Sequence, residues 1–300
     1  MKKNIFSLSG FRKTKPPSKH SNTDTLPKSN LQIDETLVTV RPLEPQQLIY
    51  GCGQSIGKQR KHNEDSVFAL SIAIGGETSM APLGLFIVAD GMGGHHNGEV
   101  ASSTATRTLA GCILKRVQDS LVDPSTSMDD SIQELMRSSI DEAQKAVRQA
   151  SPGSGTTLTA ALVHGQHVTI GHVGDSRAYA IHPHGGGKAL TRDHSLVKRM
   201  EELGQISSEE AAVHSQRNVL YRALGQEEVL QADIFTAPFP QNDRLLLCSD
   251  GLWSVLPESN LFHLVAAAKD LPSACQSLVA AANEAGGPDN ISVILVKHTI

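Results

Sequence analysis

The 300-residue sequence lacks the long hydrophobic runs that mark membrane-spanning or exported proteins. No apolar stretch approaches the roughly 18 residues that a helix needs to cross a bilayer, so we expect no membrane span. The N-terminus begins Met-Lys-Lys, but no continuous apolar segment follows it. We therefore expect no secretory signal peptide.

Cysteine is also scarce, and its spacing is uninformative for metal or redox chemistry. The four cysteines, Cys52, Cys112, Cys248 and Cys275, are far apart and form no C-x-x-C pair. Cys248 lies in an apolar run and Cys112 lies on a predicted helix face, which indicates buried free thiols in a reducing compartment. Together with the missing export signals, this predicts a cytoplasmic protein.

Positive charge is concentrated in the first 30 residues. That segment carries seven Lys and Arg residues and one Asp, a net charge of +6, while the whole chain has −4, which leaves −10 for the rest. An acidic body argues against nucleic-acid binding by the folded part. Residues 1–46 are rich in Ser, Thr, Pro, Lys and Asn, so we predict a disordered basic extension before a folded domain at 47–300. A docking arm and an inert spacer fit this composition equally well.

Acidic residues recur where a predicted core strand meets a loop. Each acid lies directly before or after a short apolar run, and a rigid strand end that faces solvent is a good support for a ligand of a hard cation. A single Asp-Gly pair is usually a plain turn, but several such junctions in one domain are difficult to explain as turns. The acids are Glu64, Asp65, Asp90, Asp250 and Asp289, with Asp175 at a further strand end.

The order of predicted elements indicates an α+β fold. Apolar spacings of three and four predict helices near 97–118 and 130–149, followed by strands at 156–163, 167–173 and 177–181 that read as an antiparallel meander. The charged segment 192–225 reads as a helical insertion over the rim of the fold. Strands at 232–237 and 243–249, two helices and a last strand at 291–296 follow. Grouped strands and grouped helices are typical of α+β layers over antiparallel sheets.

Eight motifs make the sequence resemble a known family over residues 48–298. They occur in the order typical of the metal-dependent protein phosphatases, also called protein phosphatase 2C or PPM, and D-G-M-G-G-H is similar to the bacterial branch. The motifs are R-x-x-N-E-D at 60–65, V-A-D-G-M-G-G-H at 88–95, G-T-T at 155–157, V-G-D-S-R at 173–177, D-H-S at 193–195, R-A-L-G at 222–225, S-D-G-L-W at 249–253 and G-P-D-N at 287–290.

The resemblance implies a four-layer α-β-β-α sandwich, in which two antiparallel sheets are flanked by helices and residues 192–225 form a flap beside the catalytic cleft. It also implies two core ions, Mn²⁺ or Mg²⁺. Asp90 would bridge both ions, and the carbonyl of Gly91 would bind one of them. Glu64 would serve the second ion, with Asp65 beside it.

The same resemblance assigns the remaining site residues. Asp250 and Asp289 would serve the first ion, and Asp175 would share a weaker third ion with Asp250. Arg60 would hold the phosphate of the substrate. Arg60, Asp90 and Asp250 are thus the predicted catalytic residues.

The chemistry of these residues agrees with a phosphatase. All the predicted ligands are oxygens, which favour Mg²⁺ or Mn²⁺ over Zn²⁺, and a guanidinium can bind a phosphoryl group through two hydrogen bonds. The sequence contains no Cys-x5-Arg motif, so in-line attack by a metal-bridged water is preferred over a covalent phosphoenzyme. We predict a monomeric phosphatase that removes phosphate from phosphoserine and phosphothreonine in proteins and reverses a bacterial serine/threonine kinase.

Two positions depart from the family pattern. Met92 occupies the place where eukaryotic members have a histidine proposed as general acid, which leaves a metal-bound water or His62 for that role. Ser254 stands where many members have a further acid, so the affinity of the third site stays open. The adjacent His95 and His96 are expected in a solvated loop, and Trp253 is expected to pack in the core rather than stack on substrate.

Two other functions remain compatible with the sequence. A catalytically silent family member could act as a regulatory binding module, although no core metal acid is lost here. A metal-dependent hydrolase of small phosphoesters would have the same site chemistry. The flap segment 192–225 is predicted to select phosphoprotein substrates.

Overall fold

The computed structural model describes residues 47–73, 81–93, 97–122, 132–226, 230–239 and 242–299. The predicted extension at 1–46 and the pair His95 and His96 lie outside these ranges. In the described part of the chain, no helix has the length and hydropathy that crossing a membrane requires.

The chain alternates groups of strands with groups of helices. In order, the elements are β1 (Leu48–Ser55), β2 (Asp65–Ile72), β3 (Leu83–Met92), α1 (Asn97–Val122), α2 (Ile132–Ala150), β4 (Gly155–Thr156), β5 (Leu158–His164), β6 (His167–Val173), β7 (Arg177–Ile181), β8 (Gly187–Ala189), α3 (Leu196–Glu202), α4 (Ser208–Val213), β9 (Asp233–Pro238), β10 (Arg244–Cys248), α5 (Asp250–Trp253), α6 (Glu258–Ala267), α7 (Leu271–Glu284) and β11 (Ile291–His298).

Two antiparallel sheets form the centre of the fold. One has the strand order β1-β11-β10-β7-β8, and the other has the order β2-β3-β5-β6-β9, with β4 paired to the end of β3. The sheets pack face to face through buried residues such as Phe86, Val88, Leu247 and Ile294. Helices α1 and α2 cover the outer face of the second sheet, and α6 and α7 cover that of the first. This is the predicted four-layer α-β-β-α sandwich.

Strand β3 shows why the central apolar run is continuous rather than alternating. Phe86 and Val88 face the other sheet, whereas Leu85, Ile87 and Ala89 face the helices. Successive side chains of a strand point to opposite faces, and here both faces are covered. Each large apolar side chain of such a strand contributes roughly 1.5–3 kcal/mol through burial. This makes β3 a rigid support for the residues at its end.

The structure corrects two details of the sequence prediction. The meander is wrong, because β7 pairs with β10 and β8 in the first sheet, whereas β5 and β6 belong to the second. The chain crosses between the sheets at Gly174, whose φ is +106° and where a Cβ would lie 2.6 Å from the side chain of Thr157. Strand β3 also continues past Asp90 to Met92, since Asp90 pairs with Asp65 and the last two residues pair with β4.

The segment 192–225 contains the predicted helices as two short ones, α3 and α4. Two buried histidines attach its beginning to the second sheet. His172 Nε2 lies 3.0 Å from the carbonyl oxygen of Arg192, and burial lowers the pKa of His172 to about 4, so the neutral ring donates this bond. The backbone N–H of His194 donates to the carbonyl of Gly174 at 2.7 Å. The start of the flap is therefore fixed beside the crossover that carries Asp175.

Candidate functional site

A cavity of about 620 Å³ opens where the ends of the two sheets meet the flap. Seven of the eight site residues predicted from sequence line it: five acids, Arg60 and Gly91. The acids come from five distant segments of the chain, and the fold brings them to one wall. They are Glu64, Asp90, Asp175, Asp250 and Asp289.

Asp90 and Gly91 are held by the pairing of β3 with its neighbours. The backbone N–H of Asp90 donates to Thr157 Oγ1 at 2.9 Å, and the N–H of Thr157 returns a bond to the carbonyl of Asp90 at 2.8 Å. Gly91 N–H donates to the carbonyl of Glu64 at 3.1 Å. A Cβ at Gly91 would lie 2.6 Å from that same carbonyl and would clash with the carbonyl of Gly98. Only glycine fits this close backbone approach.

Asp65 is the predicted site residue that does not line the cavity. Its side chain is buried behind the wall, where Oδ2 accepts a hydrogen bond from Ser249 Oγ at 2.8 Å and Oδ1 has no hydrogen-bond partner. Burial raises the pKa of this carboxyl to about 7. Asp65 thus adds to the field of carboxyl groups behind Asp90, its cross-strand partner.

Asp250 begins α5, separated by one residue from the end of β10. Its Oδ1 atom is enclosed without a hydrogen-bond partner, and burial together with the neighbouring Asp289 raises the pKa of the carboxyl to about 6. An enclosed carboxylate oxygen without a donor costs free energy unless a cation or proton compensates it. This oxygen is therefore suited to a metal ion.

Asp289 is held from two sides. Its Oδ1 accepts the backbone N–H of Asn290 at 2.8 Å, and its Oδ2 accepts Arg60 Nη2 at 2.6 Å. Asn290 was not assigned a role from sequence, although it stands beside a predicted ligand. Its amide donates to the carbonyls of Ile56 and His62 at 2.9 and 2.8 Å, while its Oδ1 accepts the N–H of Glu64 at 2.8 Å.

Asp175 is fixed through its backbone by a stacked pair of side chains. Trp253 Nε1 donates to the carbonyl of Asp175 at 3.0 Å, and the guanidinium of Arg177 lies 3.6 Å from the centre of the Trp253 ring. Arg177 in turn forms two hydrogen bonds to Asp193 of the flap, at 2.9 and 2.7 Å. Trp253 is half-buried and packs against the core, and it also joins Asp175 to the flap.

The acids of the site repel one another. Burial and the surrounding carboxylates raise the pKa of Asp90 well above its usual range, and burial and Asp250 do the same for Asp175. The described residues that line the cavity include two basic side chains, Arg60 and Lys61. Five acids thus face two basic residues, an arrangement that favours added cations.

The donor set fits hard divalent cations. In the described ranges, no three His, Cys, Asp or Glu side chains converge into a ready metal cage. Mg²⁺ does not need one, because it keeps several waters and takes one or two carboxylates from the protein. The oxygen ligands and the partnerless oxygen of Asp250 suit Mg²⁺ or Mn²⁺.

The two departures from the family pattern also fall at the site. Met92 and His62 both line the cavity, near the acids. Ser254 lies on a second cavity of about 390 Å³ between α5 and the flap, which shares Asp175, Asn218 and Asp250 with the first.

Comparison with known proteins identifies the family. The Protein phosphatase 2C family model matches residues 51–291. The serine/threonine phosphatase stp of Listeria monocytogenes serovar 1/2a is 36% identical over 251 residues, covering 81% of this chain and 93% of that protein. Protein phosphatase PhpP of Streptococcus pneumoniae is 32% identical over 247 residues, covering 81% and 94%.

One solved structure has the same fold and contains two manganese ions. The catalytic domain of serine threonine protein phosphatase PstP in complex with two manganese ions superposes with a TM-score of 0.68 and 27% identity, covering 85% of this chain and all of that one. With the family match over most of the sequence, the chain belongs to the metal-dependent protein phosphatase 2C family and is a protein serine/threonine phosphatase.

Proposed function

We propose that this phosphatase hydrolyses phosphoserine and phosphothreonine in proteins with two core ions, Mn²⁺ or Mg²⁺, and thereby reverses a bacterial serine/threonine kinase. The observation that carries the proposal is the convergence of five acids and Arg60 on one cavity. Asp90, with the Gly91 carbonyl, and Glu64, Asp250 and Asp289 would hold the core ions. Asp65 would support them from behind, and a weaker third ion would lie between Asp175 and Asp250.

The residues that line the cavity would each have a separate task in catalysis. The bound ions would lower the pKa of a bridging water and stabilise both ends of an in-line displacement at phosphorus. Arg60, at the cavity rim, would bind and orient the phosphoryl oxygens through its planar fork of donors. Met92 has no exchangeable proton, so the leaving oxygen would need another donor, either a metal-bound water or a residue such as His62, whose imidazole lies on the described cavity wall.

The second cavity favours protein substrates over small phosphoesters. It continues from the acid cluster under α3 and α4 and has a volume of about 390 Å³. A phosphorylated side chain in the first cavity would leave this space for neighbouring residues of a peptide. A small phosphoester would leave it unused.

The first experiment measures release of phosphate from a phosphothreonine peptide and from small metabolite phosphates, after removal of divalent ions with EDTA and after their return. We expect no turnover without metal, turnover with Mn²⁺ or Mg²⁺, and a higher kcat/KM for the peptide. A folded, metal-loaded protein without activity would favour the regulatory binding module. A higher kcat/KM for metabolite phosphates would favour the small-molecule hydrolase.

A second experiment tests the flap at 192–225. Replacing it with the corresponding segment of a relative should change the relative kcat/KM among phosphopeptides several-fold, because α3 and α4 form the wall of the second cavity. Hydrolysis of a small aryl phosphate should change by a smaller factor, because such a substrate needs only the first cavity, to which this segment contributes Asn218 and Leu220 among the described residues. Equal changes for both substrates would contradict a role of the flap in substrate selection.

A further inference from the structure

Arg60 and Asp289 form an ion pair across the mouth of the cavity. The Nη2 atom of Arg60 lies 2.6 Å from Oδ2 of Asp289. The Arg60 side chain is 51% exposed and that of Asp289 is 27% exposed, so the pair lies at the rim and is hydrated on one side. The bond to Asp289 also raises the pKa of the guanidinium. The same two residues are predicted to bind different partners, the phosphate and a metal ion.

A metal ion bound as predicted would therefore share the Asp289 carboxylate with Arg60. The other oxygen of Asp289 is already engaged by the backbone N–H of Asn290. A carboxylate has about four lone-pair positions, so Arg60 leaves space for a cation at Asp289. Its positive charge, however, opposes a second positive charge on the same group.

We propose that Arg60 competes with the metal ion for Asp289, so that metal binding releases the guanidinium for the phosphate of the substrate. This rests on the proposed function, since it takes Asp289 as a ligand and Arg60 as the phosphate-binding residue. Without metal, the guanidinium is the cation that compensates Asp289, and Glu64 and Asp250 attract it as well. With metal, that compensation is redundant and Arg60 turns toward the anion.

Through Arg60, phosphate binding and metal binding each increase the affinity of the protein for the other ligand. A phosphate that draws Arg60 away from Asp289 removes the competitor of the metal ion, and a metal ion at Asp289 frees Arg60 for phosphate. Thermodynamic linkage requires both effects to have the same size. The coupling is carried by one side chain, so substitution of that side chain isolates it.

Titration calorimetry with Mn²⁺ on the metal-stripped protein tests this without relying on activity. We expect Arg60→Ala to bind Mn²⁺ about fivefold more tightly than the wild type, the scale of a partly exposed ion pair. Lys61→Ala is the matched control, because Lys61 lines the same cavity and carries the same charge. Its substitution should change Mn²⁺ affinity by less than about twofold, since Lys61 is exposed and water and salt screen its charge.

A double-mutant cycle assigns the effect to Asp289. In an Asp289→Asn background the guanidinium loses its carboxylate partner, and Arg60→Ala should then change the remaining Mn²⁺ affinity by less than about twofold. Equal Mn²⁺ affinity of wild type and Arg60→Ala would overturn the competition, while metal-dependent turnover by the wild type would leave the proposed function standing. A wild type that binds neither Mn²⁺ nor Mg²⁺ would overturn both.

Discussion

Replacing Asp250 with alanine should lower Mn²⁺-dependent hydrolysis of a phosphothreonine peptide by about a thousandfold or more. Asp250 lines the cavity together with Asp175 and Asp289. It is the acid predicted to serve both the first core ion and the third. Its enclosed Oδ1 has no donor from the protein. The readout is kcat/KM at saturating Mn²⁺.

The isosteric variant Asp250→Asn separates charge from shape. It should be as inactive as the alanine variant. In the absence of metal it should unfold at a higher temperature than the wild type, because burial and Asp289 already disfavour the charged carboxylate of Asp250. Wild type should gain thermal stability when Mn²⁺ is added, since a ligand that binds the folded state stabilises it. Asp250→Asn should lose most of that gain.

Asp141→Ala is the control for these variants. Asp141 is an exposed acid on α2, so its loss removes the same charge away from the cavity, and both activity and the Mn²⁺-induced shift should be retained. Turnover of Asp250→Ala within tenfold of wild type would show that the assignment of Asp250 to the metal ions is wrong.

Much of the fold could be predicted because its strands and helices have recognisable patterns in the local sequence. The run in β3 is apolar on every position from Leu85 to Ala89, since both faces are covered, and the amphipathic spacing of α2 marks its buried side. The assignment of β7 to the wrong sheet has a non-local cause. The crossover at Gly174 depends on its close contact with Thr157 of another segment, and no local pattern reports such a contact.

In the candidate site, too, some features could be predicted from the local sequence and others depend on tertiary packing. Acids at strand ends were visible in the sequence, and the cavity contains five of them. The placement of Asp65 behind the wall follows from its register opposite Asp90, which a single strand does not specify. The Arg60–Asp289 pair joins residues 229 positions apart, and the three bonds of the Asn290 side chain reach the loop before β2. Such contacts are set by tertiary packing alone.

Replacing Arg177 with methionine should lower the free energy of unfolding by about 3–5 kcal/mol, the usual cost of removing one partner from a buried ion pair. Arg177 binds both oxygens of Asp193, donates to Tyr179 Oη at 2.9 Å and stacks on Trp253. The side chain of Asp193 is only 8% exposed. Without Arg177, this carboxylate is left buried without its countercharge. Urea unfolding of the metal-free protein at neutral pH measures the loss.

The exposed pair Lys145–Glu142 provides the control, because its N–O distance is also 2.7 Å while its side chains are 65% and 54% exposed. Lys145→Ala should leave stability almost unchanged, since water already solvates both charges. Adding Asp193→Asn to Arg177→Met should recover about 2 kcal/mol, because it removes the uncompensated charge. Strictly additive losses would mean that Arg177 stabilises the protein through its other contacts, with Trp253, Tyr179 and Glu258. A coupled result would identify the Arg177–Asp193 pair as the connection between the flap, the Asp175 crossover and α5.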